Sequence, residues 1–342
     1  MVFVSNPQST IRNSQSRLPH WLAVVLCCAT FPLIWVGGLV TTTQAGMAVP
    51  DWPTTYGYNM FSYPWQTWLF GPWDLFIEHG HRLLGSLVGL ISIVFCVAVW
   101  RCDERRWLRW LSVGVVVAVI GQGVLGGMRV LLDERTLAKI HGCTGPLFFG
   151  LCAAMAVFTS STWHTAQRQT LARGANLHRL AIATTWLAYL QLMLGAQVRH
   201  VSVSALPGEY RAAVLFHLLM AVFFVIHVVL LAWMVFRNFR GDARLTRPVL
   251  LLCVLTGIQV CLGGATWVAK FAWPDPLAQA GWGAGYTIVA GSFRQSLIVT
   301  AHMATGSLIL VTALVVALRS VRGYRAEPKR HVEVPKLAGV ML

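Results

Sequence analysis

Eight apolar runs, each close to the ~20 residues that a bilayer-spanning helix needs, constrain this chain more than any other feature. They cover roughly residues 20–40, 76–100, 108–131, 138–160, 179–198, 212–236, 248–269 and 295–318. A helix bonds its own backbone polar groups within the segment, which hydrocarbon demands. Composition agrees: 56% of the 342 residues are hydrophobic, 11% are charged, and mean hydropathy is +0.62. That is too little charge to cover a soluble surface. The expected fold is an all-α polytopic membrane protein.

The net charge of +15 would suit nucleic acid only if it formed one basic face. Instead the basic residues fall in short clusters between apolar runs, as the positive-inside rule produces. Most of the 27 Lys and Arg lie in the N-terminal tail, the loops 101–109, 161–179 and 237–247, and the tail from Arg319. Both termini are therefore expected on the cytoplasmic side of a bacterial plasma membrane, or the matrix side of a mitochondrial inner membrane. Residues 1–20 carry Arg12 and Arg17, four serines and no acid, which fits a transit peptide as well as a cytoplasmic tail. The eight cysteines lie almost entirely in apolar runs without a C-x-x-C pair, and read as small buried hydrophobes.

The chain repeats itself. Gln122-Gly123-Val124-Leu125-Gly126-Gly127 is matched by Gln259-Val260-Cys261-Leu262-Gly263-Gly264, and His81 by His217, at spacings that agree to within one residue. Four helices return a chain to its starting side, so the halves are expected to be two parallel-related four-helix bundles. The boundaries read from the runs are a 1–19 tail, a 20–160 bundle, a 161–178 linker, a 179–318 bundle and a 319–342 basic tail. The glycines of Gly85-x-x-x-Gly89 and Gly123-x-x-x-Gly127 read first as helix-packing devices.

Ionisable residues inside apolar runs carry the functional reading. Glu78, His81 and Arg82 lie at i, i+3 and i+4 and share one helix face, while His79 points to the other side. His81, His141, His217 and His302 each stand within the first turns of the second, fourth, sixth and eighth runs, two per repeat. One His from each of two facing helices makes an axial-ligand site for haem iron. Zinc would need further Cys or carboxylate ligands, and a proton or ion path can also use intramembrane His. His20, His164, His178, His200 and His331 read as solvated, and His227 as a satisfied histidine within its helix. Glu78 and Arg82 could equally form an ion pair at the membrane edge, and Arg82 could bind a propionate in bidentate fashion. The outer segment 41–75, with Asp51-Trp52-Pro53 and Trp65, Trp68 and Trp73, reads as an interfacial aromatic belt that also suits a cap. A second aromatic outer loop spans 270–294.

The Gly38-Leu39-Val40-Thr41-x-Thr43-x-Ala45-Gly46 stretch with Trp52-Pro53, the Glu78-x-x-His81-Arg82-Leu83 element, the glycine repeats, and His141, His217 and His302 resemble the haem A synthase family across residues 20–320. The resemblance implies an eight-helix oxidoreductase that converts the C8 methyl of haem O to a formyl group by successive hydroxylations, giving haem A. It implies that His81 and His141 flank the haem O site and that His217 and His302 ligate a resident haem B. Glu78 then matches an essential carboxylate, with Arg82 beside it, and haem O synthase is the upstream partner. A homo-oligomer stays open, as does the electron donor. Some members carry a cysteine pair in the first outer loop; Ala48 and Thr55 stand at those places here. A non-catalytic bis-His membrane cytochrome b is the alternative, and a transporter with parallel repeats would instead place its polar groups at the midplane.

Overall fold

The computed structural model describes residues 17–171, 174–201 and 205–326. Its eight long helices are α1 (Arg17–Thr42), α2 (Trp73–Cys102), α3 (Arg106–Leu131), α4 (Arg135–Thr159), α5 (Gly174–Arg199), α6 (Pro207–Asn238), α7 (Ala243–Phe271) and α8 (Phe293–Gly323). All are long and apolar enough to cross a membrane, and the protein is an all-α polytopic membrane protein. Every expected run is a helix. The helices overrun the apolar runs because polar first and last turns remain helical outside hydrocarbon; α6, for example, begins at Pro207, where a missing N–H removes no bond.

Each set of four closes on itself. α1 packs on α2 and α4, and α3 on the same two; α5 packs on α6 and α8, and α7 on the same two. The halves meet through α4 and α8, with α8 also touching α1 and α4 touching α5. Burial follows this arrangement: 56% of the apolar window is buried in α4 and in α8, against 33% or less in the other six. Two of the four histidines therefore stand on the most enclosed helices.

The dry packing lies toward one end of each bundle. In the first half Leu26, Phe95, Leu108, Val115 and Met155 are sealed; in the second, Leu177, Leu231, Val235, Leu245, Leu252 and Val316. Buried hydroxyls bond the carbonyl four residues back: Thr30 to Leu26 (2.7 Å), Ser92 to Val88 (2.8 Å), Thr184 to Leu180 (2.7 Å) and Thr256 to Leu252 (2.7 Å). No polar atom in this group then faces hydrocarbon unpaired. Beyond the packed ends, Asp103 accepts from the backbone and guanidinium of Arg105, and Asp242 does the same for Arg244. The repeat therefore extends into the turns before α3 and α7.

The expected 161–178 linker and 319–342 tail need correction at their described parts. A short helix (Ser161–Thr165) is followed by β1 (Gln169–Leu171), which pairs in parallel with β2 (Tyr324–Ala326), while α8 itself runs to Gly323. Basic residues at the end of α8 bind its neighbours: Arg322 Nε donates to Trp163 O (2.9 Å) in the short helix and Arg319 Nη1 to Arg244 O (3.0 Å) in α7. The tails up to residue 16 and from 327, with His331, lie outside the described residues.

Phe95 is fully buried. Phe95→Ala is expected to destabilise the first bundle by about 3–5 kcal/mol, read as a lower detergent melting temperature, while the other end of that bundle keeps its geometry.

Candidate functional site

At the opposite end of each bundle the helices enclose a cavity of about 1420 Å3 that runs through both halves. His81, His141, His217 and His302 all line it. Single ligand sites are commonly ~300–1,000 Å3, so this space exceeds one such site.

The local rule that makes the space is simple. Each of these four histidines, one per even-numbered helix, faces a glycine on the helix before it. A Cβ added at Gly37 would come 2.8 Å from His81 Cε1; at Gly126, 3.2 Å from His141; at Gly195, 3.2 Å from His217; at Gly263, 3.3 Å from His302. In the sequence Gly126 and Gly263 stand out only as members of the internal repeat; their role as seats for the imidazoles depends on the facing helix. Other lining glycines, Gly89, Gly123, Gly142 and Gly264, have nothing within 4 Å of an added Cβ. They border open volume instead of a neighbouring helix.

The imidazoles are set for a ligand. Nδ1 of His81, His141 and His302 is buried without a hydrogen-bond partner; each comes near the carbonyl of Leu33, Gln122 or Gln259 but makes no bond of good geometry. His217 is held by the Gln191 amide, 3.2 Å from Nδ1 and 3.1 Å from the His217 carbonyl. The ring centroids of His217 and His302 are 6.4 Å apart with planes at 79°. Two imidazoles on opposite sides of one metal ion, each nitrogen ~2.0–2.1 Å from it, have centroids roughly 6 Å apart. The pair, the orphaned nitrogens and the empty glycine-lined volume fit an iron porphyrin.

Glu78 and Arg82 do form the ion pair, at 3.0 Å, with side chains 2% and 9% exposed. They also fasten the outer segment. Arg82 donates to the carbonyls of Val49 (2.8 Å), Asp51 (2.7 Å) and Thr54 (2.9 Å), while Glu78 Oε2 accepts from Val49 N–H (2.9 Å). Asp51 closes the next turn by accepting from Tyr56 and Gly57 N–H, both at 2.8 Å. Burial raises the Asp51 carboxyl's pKa, but these bonds outweigh it and leave the pKa below its usual value. The result is a cap. Trp52 and Pro53 line the cavity, and a Cβ at Gly127 would overlap the Trp52 indole. Over the other half, Trp273 and Pro274 of the second outer loop line the cavity too.

His79 is buried on the far face of α2, 3.2 Å from Thr55 Oγ1 and in ring contact with Tyr63 and Trp68, so it braces the same cap. Trp65 and Trp73 are exposed as a belt would be, but Trp68 packs on His79 and Phe76. Three edge histidines differ from the solvated reading. His20 reaches Ala156 O and Thr159 Oγ1, and His178 reaches Ser320 O. His200 lines the cavity, where burial and the neighbouring Arg199 push its pKa down to about 4. His227 is satisfied by Phe223 O at 2.9 Å.

Removing one partner of the Glu78–Arg82 pair strands a buried charge. Arg82→Gln is expected to lower stability by about 3–5 kcal/mol and to open the 43–72 segment to limited proteolysis. Combined with Glu78→Gln it should lose less than the sum of the single variants; strict additivity would exclude the coupling.

Residues 72–206, from the start of α2 to the turn before α6, match the COX15-CtaA family model, described as cytochrome oxidase assembly protein. A haem A synthase of Listeria monocytogenes serotype 4a is 24% identical over 263 residues, covering 72% of this chain and 84% of the relative. Haem A synthases of Alkalihalophilus pseudofirmus and Lysinibacillus sphaericus are 24% and 25% identical over 52% and 57% of this chain, and 58% and 62% of their own lengths. At this modest identity, the chain is similar to haem A synthases over most of its length and to the cytochrome oxidase assembly family over residues 72–206.

Proposed function

We propose that this membrane oxidoreductase acts in haem A biosynthesis by oxidising the C8 methyl of haem O to a formyl group in its N-terminal half. The C-terminal half then holds haem B between His217 and His302. The observation that carries this reading is the His217–His302 separation of 6.4 Å across glycine-bordered open space. When bound, haem B supplies one-electron redox chemistry that side chains lack.

The chain's own contribution is orientation, exclusion of water and control of protons. Gln191 fixes the ring of His217, and the buried Nδ1 atoms leave Nε2 as the ligating nitrogen of the other three. His81 and His141 flank haem O. Two successive two-electron hydroxylations, with oxidant and oxygen supplied from outside the chain, would take its methyl to a geminal diol, which loses water to become the aldehyde. Trp52 and its cap keep bulk water from that half. Glu78, one helical turn from His81, is the one carboxylate on the cavity wall among the described residues and serves as the proton-handling or charge-stabilising group. Arg82 positions it, holding both Glu78 and the cap.

The two halves differ where a division of labour requires it. Val214 and Leu218 replace Glu78 and Arg82 in the second repeat, so the acid–base pair belongs to the first half alone. Haem O synthase supplies the substrate from within the bilayer, and both termini face the cytoplasm or, in a mitochondrion, the matrix. A non-catalytic cytochrome b would use the same bis-His geometry but would have no need of the asymmetric carboxylate.

Coexpression with haem O synthase, followed by chromatography of extracted haems, tests the reading. The wild type should accumulate haem A. Glu78→Gln, which retains an acceptor for Val49 N–H, and Glu78→Ala should both lose it while the bound haem B absorption persists. His302→Ala should lose haem B. Haem A retained in both Glu78 variants removes Glu78 from the chemistry, and haem binding without any haem O conversion leaves the cytochrome.

A further inference from the structure

The wall of the cavity is unbalanced in charge. Arg82, Arg129, Arg199, Lys270 and Arg294 line it, with Glu78 as the one acid among the described residues, and Glu78 already has its partner in Arg82. Arg82 itself is saturated by three carbonyls of the cap. Charge alone would nominate it for a propionate, but its guanidinium faces the loop.

Arg129 and Arg199 are different. Arg199 ends α5 and donates Nη2 to Gly38 O (3.0 Å), with Nη1 against Met303 Sδ (2.8 Å). Both acceptors are neutral, and a thioether is a weak one. Arg129 packs its guanidinium on Gly46 and has no hydrogen bond or ion pair to another described residue. Guanidinium groups withdrawn from water without a carboxylate are costly, and an anion from outside the chain offsets that cost.

Their positions follow one rule in both halves. Arg129 lies three residues after Gly126, the glycine facing His141, and Arg199 four residues after Gly195, the glycine facing His217. Each arginine therefore stands about one helical turn beyond a histidine seat, toward the outer loops. Met303, which Arg199 touches, is the residue next to His302.

Building on the haem reading above, we propose that Arg129 and Arg199 are carboxylate-binding residues that receive porphyrin propionates. Arg199 serves the ligand between His217 and His302, and Arg129 the ligand between His81 and His141. Both macrocycles then sit with their propionates toward the outer loops.

Esterification separates this role from a merely structural one, because a dimethyl ester keeps the porphyrin and removes both negative charges. Detergent-solubilised protein from haem-depleted cells is titrated with haem B and with haem B dimethyl ester, following the Soret band. The His81→Ala background reports the C-terminal site and the His302→Ala background the N-terminal one. A charge-assisted hydrogen bond predicts that the free acid binds roughly 10- to 100-fold more tightly than the ester. Arg199→Gln in the first background and Arg129→Gln in the second should abolish that preference and leave ester affinity unchanged. Arg199→Lys should keep part of it. Equal affinity of the unsubstituted arginine sites for acid and ester overturns the proposal, as does a glutamine variant that weakens both ligands alike or neither. Failure of the full wild-type protein to take up either ligand instead overturns the haem reading itself.

Discussion

An imidazole can stand inside a helix bundle only where the helix opposite withholds its side chain. Gly37, Gly126, Gly195 and Gly263 do this for the four cavity histidines, and a Cβ at any of them would press on a ring. In lipid, small residues usually bring helices together, since apolar burial gives no drive between them. Here they also hold a gap open. The odd-numbered helices supply the gaps and the even-numbered helices the imidazoles, so one rule applied four times seats all four rings. Dry packing at the far end of each bundle keeps the frame rigid enough for the gaps to persist.

On this symmetric frame a single asymmetric device is added. Glu78 and Arg82 reach from α2 into the first outer segment and bind its backbone at Val49, Asp51 and Thr54. That contact seats Trp52 against Gly127. The same two residues thus enclose one half of the cavity and put a carboxylate in its wall. The second half is roofed by Trp273 and Pro274 and has Val214 and Leu218 at the corresponding helix positions. Ion pair and functional carboxylate, which compete as readings of Glu78 in the sequence, become compatible once the cap is in place.

Much of this was legible beforehand, for definite reasons. Spanning helices announce themselves because hydrocarbon forces ~20 apolar residues into one element. The four histidines stood out because an ionisable group in such an element is rarely accidental. Less legible were the groups whose meaning depends on a neighbour distant in sequence. Gly195 stands in a less obvious copy of the repeat, Gln191-Leu192-Met193-Leu194-Gly195-Ala196, and Gly37 in a glycine pair that lacks its Gln and Leu. Arg129, Arg199 and His200 look like ordinary membrane-edge residues until the bundle turns them inward. The pairing of β1 with β2 joins segments with no pattern of their own.

The sequence by itself determined the number of helices, the twofold repeat, the four candidate ligands and the confinement of Glu78 and Arg82 to one half, because each is written in local hydrophobicity or spacing. Only the tertiary structure decided which glycine faces which histidine, that Arg82 holds a cap, and that Arg129 and Arg199 make no ion pair among the described residues. Those are matters of distance across helices, and the pattern along a single helix carries no information about what the next one presents to it.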